Sequence, residues 1–233
     1  MGAIRANLQA VNARIARAAQ AAGRDARAVR LLAVSKTHPA ALVDEAYQAG
    51  QLAFGENYVQ EALQKMDALA RLPLEWHLVG PLQSNKTRLV AERFAWLHTL
   101  ESDRIARRLS AQRPASLPPL EVLLQVNISG EATKSGIAPE RAPALAQAVA
   151  ALPRLRLRGL MAIPEPSPDG VVQRARFRAV RQLFEHLVRE GLALDTLSLG
   201  MSDDLEAAVA EGSTLVRVGT AIFGARGVTR DAA

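Results

Sequence analysis

The sequence predicts an α/β fold, a (β/α)8 TIM barrel with an extra N-terminal helix. Short apolar runs of strand character alternate with segments of helical period from end to end, and counting the runs gives eight. The connections between them are uniformly short, and the 233 residues of the chain come close to the ~250 usual for such a barrel. An open, doubly wound sheet is the competing arrangement, but no dinucleotide-type glycine cluster supports it. One domain spanning residues 1–233 is expected.

The amphipathic run from Ile4 to Ala22, closed by Gly23, is the leading helix. The first strand is Arg30 to Lys36, after which Pro39 suits a first helical turn and Gly50 the end of that helix. Leu52 to Glu56 and Glu75 to Gly80 follow as strands, with Ser84 as an N-cap. Ala95 to Leu100 is the fourth strand, and Ser102 caps the helix after it. The proline-rich stretch "RPASLPPLEV" reads as a loop into the fifth strand, Glu121 to Ile128. Leu155 to Ile163, Thr196 to Gly200 and Thr214 to Thr220 complete the set, with Gly191 and Gly212 at the ends of the intervening helices. The helix after the last strand is missing or very short.

Composition narrows the function classes. A hydrophobic fraction of 49% supplies a substantial core. No apolar run reaches the roughly 18 residues of a membrane span, and arginine and asparagine interrupt the apolar positions of the N-terminus. Neither a membrane segment nor an export signal is expected, which places the chain in the cytoplasm. The absence of cysteine excludes disulfides, thiolate metal sites and a cysteine nucleophile, and no metal site is expected. The net charge of +6 comes mainly from arginines spread over several helical segments, among them Arg14, Arg107, Arg174 and Arg178. That distribution reads as solvated faces, so a nucleic-acid partner is not expected.

Barrel chemistry gathers at the C-terminal ends of the strands. At the seventh and eighth ends, "LSLGMSDDLEAAVAEG" leads through Gly200 into a helix beginning near Ser202, and "RVGTAIFG" offers Gly219 and Thr220. A helix start with free hydroxyls and an open glycine suits a phosphate. The plain alternative is an ordinary N-cap at Ser202, with Asp203 and Asp204 favouring the helix dipole rather than an anion. In "LLAVSK", Lys36 shares a strand face with Leu32 and Val34. A desolvated lysine offers a free amine to aldehydes and ketones; otherwise it reaches to solvent at the rim or pairs with a carboxylate such as Glu56. An amine one strand from a phosphate cradle points to a phosphorylated carbonyl compound, either pyridoxal phosphate or a sugar phosphate of aldolase chemistry. Arg217 shares a face with Leu215 and Gly219 and needs an acceptor: Glu56, Glu75, or the pyridine nitrogen of a bound cofactor.

The blocks "LLAVSKTHP", "FGENYVQEAL", "EWHLVGPLQSNK", "KSGI", "RLRGLMAIP" and "LSLGMSDDLEAAVAEGSTLVRVGTAIFGAR", in this order over almost the whole chain, resemble the YggS/PROSC family of pyridoxal phosphate homeostasis proteins. The resemblance implies a barrel like the alanine racemase N-terminal domain, with pyridoxal 5'-phosphate held as a Schiff base on Lys36. It further implies phosphate contacts from Ser202, Gly219 and Thr220, Arg217 facing the pyridine nitrogen, Asn57 and Met201 lining the site, and Lys134 in cofactor handling. Position 38 is His38 where some relatives have lysine. The tyrosine-bearing second domain of alanine racemase is not expected in this chain, whose two tyrosines are Tyr47 and Tyr58, both on predicted helices. The expected function is therefore holding and delivering the cofactor in vitamin B6 homeostasis, by a monomer whose partners are pyridoxal phosphate and the apoenzymes that use it, with no catalytic residue assigned. A weakly active amino-acid racemase is the alternative.

Overall fold

The computed structural model describes residues 2–129 and 135–225, in which parallel strands close in chain order into a barrel. The strands are β1 (Arg30–Val34), β2 (Ala53–Glu56), β3 (Glu75–Leu78), β4 (Trp96–Leu100), β5 (Leu120–Gln125), β6 (Leu155–Met161), β7 (Thr196–Ser198) and β8 (Leu215–Val218), the last pairing back onto β1. Around them lie α1 (Ala3–Ala21), α2 (Ala40–Gln48), α3 (Val59–Ala68), α4 (Thr87–Arg93), α5 (Asp103–Gln112), α6 (Ala142–Ala150), α7 (Gly170–Arg189), α8 (Leu205–Ala210) and α9 (Thr220–Phe223). The barrel, its leading helix and the very short last helix all match the reading of the sequence.

The period of two along each strand divides the apolar residues. Ala33, Phe54, Leu78, Leu97, Leu124 and Leu160 join the main cluster between sheet and helices. Their neighbours Leu32, Ala53, Val79 and Leu215, and separately Trp96, Leu123 and Met161, pack inside the barrel. Helix α1 buries Ile4, Leu8, Val11 and Ile15, spaced by three and four residues along one face. Each such side chain contributes about 1.5–3 kcal/mol. Asn7 Nδ2 donates to the Ile222 carbonyl at 2.9 Å and Arg24 Nη1 to that of Val209 at 2.7 Å, so α1 is stitched over α8 and α9.

The structure differs from expectation mainly at strand and helix ends. Strand β1 stops at Val34, so Lys36 stands on a turn: the Ser35 N–H still donates to the Gly55 carbonyl at 3.0 Å, and Thr37 then turns the chain at φ 65°. Helix α8 starts at Leu205 rather than near Ser202, because the Asp204 carboxylate accepts the Met201 N–H at 2.6 Å and holds residues 201–204 in a turn. Gly200 makes that turn possible: its φ is 89°, and a Cβ there would lie 2.5 Å from the Ala208 Cβ. Ser84 opens a separate 3-10 turn ahead of α4, and Pro39 and Tyr58 precede α2 and α3 instead of lying in them.

The arginines assigned to solvated faces are largely engaged by carboxylates. Arg174, Arg178 and Arg181 converge on the buried Glu211, and Arg158 bridges Glu121 and Asp195. Among the described residues, no helix is long and apolar enough to cross a membrane.

A cavity at the C-terminal rim of the barrel

A cavity of about 660 Å³ opens at the C-terminal ends of the strands. Lys36, Asn57, Met201, Ser202, Arg217, Gly219 and Thr220, drawn from four separate stretches of sequence, all line it. Lys134 lies outside the described residues. Arg14 and His38 also line the cavity, though the sequence reading assigned them no place there, as does Asp203, which that reading weighed against an anion.

Lys36 is half-buried, and the turn that carries it is tied down on both sides. Lys65, on α3 and outside the cavity, is 4% exposed, and its Nζ lies 2.7 Å from each of the Ser35 carbonyl, Glu56 Oε1 and Glu61 Oε1. The Ser35 hydroxyl donates to Glu56 Oε1 at 2.6 Å, and the Thr37 N–H donates to Glu61 Oε1 at 2.6 Å. Glu56, the carboxylate considered as a partner for Lys36, is thus engaged by Lys65 and Ser35. Burial pushes its carboxyl up from the usual range, against the pull of Lys65 and Ser35.

Arg217, on β8, lies level with Leu32 of the adjacent β1. Its partners are neutral oxygens rather than the carboxylates the sequence offered: Nη1 donates to the Ser198 carbonyl at 2.6 Å and hydroxyl at 2.7 Å, and Nη2 to the Ala162 carbonyl at 3.0 Å. Complete burial pushes its pKa down to about 10. From Ser198 a polar chain continues inside the barrel. Ser198 Oγ meets His98 Nδ1 at 3.0 Å, His98 Nε2 meets His77 Nδ1 at 2.9 Å, and His77 Nε2 meets Glu75 Oε1 at 2.7 Å. Glu75 also accepts from Arg30 at 2.8 Å.

The protonation pattern follows from this order. Burial lowers the pKa of both histidines, keeping the rings neutral, while the hydrogen bond from His77, reinforced by Arg30, holds the Glu75 carboxyl at about 2. With an ionised acceptor at the end, each ring donates toward Glu75 and accepts on its other nitrogen, and Ser198 donates to His98. Neither the histidines nor Ser198 stood out in the sequence. In retrospect, Glu75 and His77 alternate in "EWHL", which puts both on one strand face.

The third group is the pair of loops after β7 and β8. Gly219 has no room for a side chain without crowding: a Cβ would lie 3.0 Å from the Val34 carbonyl oxygen. Ser202 and Thr220 bring hydroxyls to the same cavity. Of the two aspartates that argued against an anion, Asp204 is turned onto the Met201 N–H, while Asp203 is exposed at the rim. Arg14 reaches across from α1, donating to the Ser202 carbonyl at 2.6 Å and through Nε and Nη2 to both oxygens of Glu206. His38 packs against Phe223, with ring centroids 5.3 Å apart and the ring planes tilted by 30°. Amine, guanidinium and hydroxyls thus share one cavity, as a phosphorylated aromatic aldehyde requires.

Comparison with known proteins agrees with the fold and gives the family. The model of the alanine racemase N-terminal domain matches residues 6–227. A pyridoxal phosphate homeostasis protein from Pseudomonas aeruginosa is 63% identical over 226 residues, 97% of each chain. One from Vibrio cholerae is 53% identical over 236 residues, covering all of both chains. Among solved structures, PipY of Synechococcus elongatus with PLP bound is 42% identical, with a TM-score of 0.79 over 84% of this chain and 93% of its own.

Proposed function

This chain belongs to the family of pyridoxal phosphate homeostasis proteins built on the alanine racemase N-terminal domain, and on that premise we propose that it holds pyridoxal 5'-phosphate at the rim cavity and hands it to apoenzymes. The observation that carries the reading is the convergence of Lys36, Arg217, Ser202, Gly219 and Thr220 on one cavity.

The residues fit the group. When bound, pyridoxal phosphate supplies an aldehyde that an amine can capture, a phosphate and a pyridine nitrogen. Lys36 presents the amine. Ser202 and Thr220 supply hydroxyls for an anion, and Gly219 lets the backbone come close to it. Arg217 presents a guanidinium that three hydrogen bonds to Ser198 and Ala162 hold in place, and Asn57 and Met201 complete the walls. A part for Lys134 in cofactor handling rests on the family resemblance alone.

Two features favour holding over turnover. Arginine keeps its protons, so it stabilises charge at a ring nitrogen poorly compared with an acid that can donate one. Two-base chemistry at an amino-acid α-carbon needs a second proton-transfer group; among the described residues neither tyrosine lines the cavity, Tyr58 being 57% exposed, which leaves a racemase reading to draw on His38 instead.

Reconstitution with pyridoxal phosphate tests this. The wild-type protein gains the yellow band of a lysine-held cofactor, and Lys36→Ala does not; an equal band in the variant overturns the assignment. Incubation of the loaded protein with L-amino acids in deuterated water then separates the classes. Slow α-proton exchange, with cofactor transfer to an added apoenzyme, fits a carrier, whereas rapid exchange identifies a racemase-like enzyme.

A further inference from the structure

We infer that Lys65 is the positioning residue for Lys36: its buried ammonium, shared by the Ser35 carbonyl, Glu56 and Glu61, fixes the turn that presents the Lys36 amine to the cavity. This rests on the proposed function only in identifying that amine as the one that captures the cofactor.

Lysine carries a long, flexible side chain, so an amine held near a reacting carbon needs a fixed base. The base here is a strained one. Thr37, the residue after Lys36, has φ 65°, a left-handed conformation that is unfavourable for a β-branched side chain. Such a conformation persists only where its surroundings over-determine it. The Thr37 N–H is held by Glu61 Oε1, and the residue on the other side, Ser35, is held through its carbonyl by Lys65 and through its hydroxyl by Glu56. All of these contacts meet at Lys65 Nζ, which touches both carboxylates at 2.7 Å.

A purely structural role would be met by packing, whereas these bonds converge on the two peptide units that flank Lys36. Lys65 does not line the cavity, so any effect it has on the cofactor passes through the backbone of Lys36. The Glu56 Oε2 oxygen is buried with no hydrogen-bond partner among the described residues. Removing Lys65 alone would therefore leave a buried charge unbalanced.

The experiment uses three variants: Lys65→Met, the double variant Lys65→Met with Glu56→Gln, which removes the stranded charge, and Glu61→Gln, which weakens the tie to Thr37 at a partly exposed position. Two readouts are independent. Hydrogen exchange of the Thr37 amide in the cofactor-free protein reports the turn, and the rate of pyridoxal phosphate capture reports the amine. In folded variants we expect the Thr37 amide to lose protection and capture to slow by about 100-fold, the scale of a misplacement of roughly 1 Å. Lys65→Arg should recover part of both. A folded double variant with a protected Thr37 amide and wild-type capture overturns the inference. If Lys36→Ala captures the cofactor as well as wild type, the assignment of Lys36 fails while the Thr37 readout still judges the role of Lys65 in the turn.

Discussion

Lys36, on the turn after β1, and Arg217, on the adjacent β8, line one cavity, yet the protein holds them with opposite kinds of partner. Beneath Lys36 lies a set of ions in which the Lys65 ammonium is shared by the Glu56 and Glu61 carboxylates. Behind Arg217 lies a chain of neutral groups, Ser198, His98 and His77, that reaches a carboxylate only at Glu75. The ionic set fixes a backbone turn. The neutral chain fixes a guanidinium without cancelling its charge, which stays available to whatever enters the cavity. A buried cation with only neutral partners is costly to maintain, and under the proposed function the nitrogen lone pair of a pyridine ring gives that arrangement a use.

If the contrast holds, the largest effect comes from emptying the neutral side. Arg217→Met takes the guanidinium donors from the Ala162 carbonyl and from the Ser198 carbonyl, which keeps the 3.4 Å bond from the Ala162 N–H, and hydrogen bonds to a charged group are worth about 1.5–3 kcal/mol each. Urea unfolding should show a loss of about that size or more, together with loss of cofactor retention. A variant as stable as wild type would show that the chain behind Arg217 is incidental.

A smaller effect concerns pH. His77, His98 and Glu75 all have folded-state values below their ordinary ones, so on acidification the unfolded chain takes up their protons first. The stability they provide is complete above about pH 6.5, the ordinary histidine value, and is lost as pH falls. The histidines dominate the first part of the loss, and Glu75 extends it from its ordinary 4.5 down to about 2. Chemical unfolding across this range should show the decline, with a shallower onset in His98→Gln. An unchanged onset would mean that the rings are not neutral partners of Ser198.

The smallest effect on stability belongs to Arg14. Its pair with Glu206 is partly exposed, the two side chains being 32% and 56% accessible, and such pairs contribute about 0–1 kcal/mol. Arg14→Ala should therefore melt close to wild type while releasing the cofactor faster, because the Ser202 carbonyl loses its anchor. Unchanged release would limit Arg14 to the outer surface of the site.

The barrel was legible because alternation, strand count and short loops all agree with it, and the cavity residues were legible because barrel chemistry gathers at known strand ends. Strand position and face made Lys36, Arg217 and Gly219 candidates, and their meeting on neighbouring strand ends together with the family resemblance raised them above ordinary rim and core residues. Their supports could not be found in this way. Lys65 belongs to α3, one helix beyond the one that follows Lys36, and reaches Ser35 across 30 positions, Arg14 reaches Ser202 across 188, and His98 reaches Ser198 across 100. Contacts of that range leave no periodic trace in a single sequence. The shift of the α8 start from Ser202 to Leu205 has a local cause that is equally hard to read, since Asp204 can cap a helix or close a turn and only tertiary packing decides.

The most direct test of the account is borohydride reduction of the pyridoxal phosphate-loaded protein followed by peptide mapping. The account predicts that the reduced pyridoxyl group is found on the peptide carrying Lys36. Its appearance on another lysine, or on none, would contradict the assignment from which the contrast between the two walls is drawn.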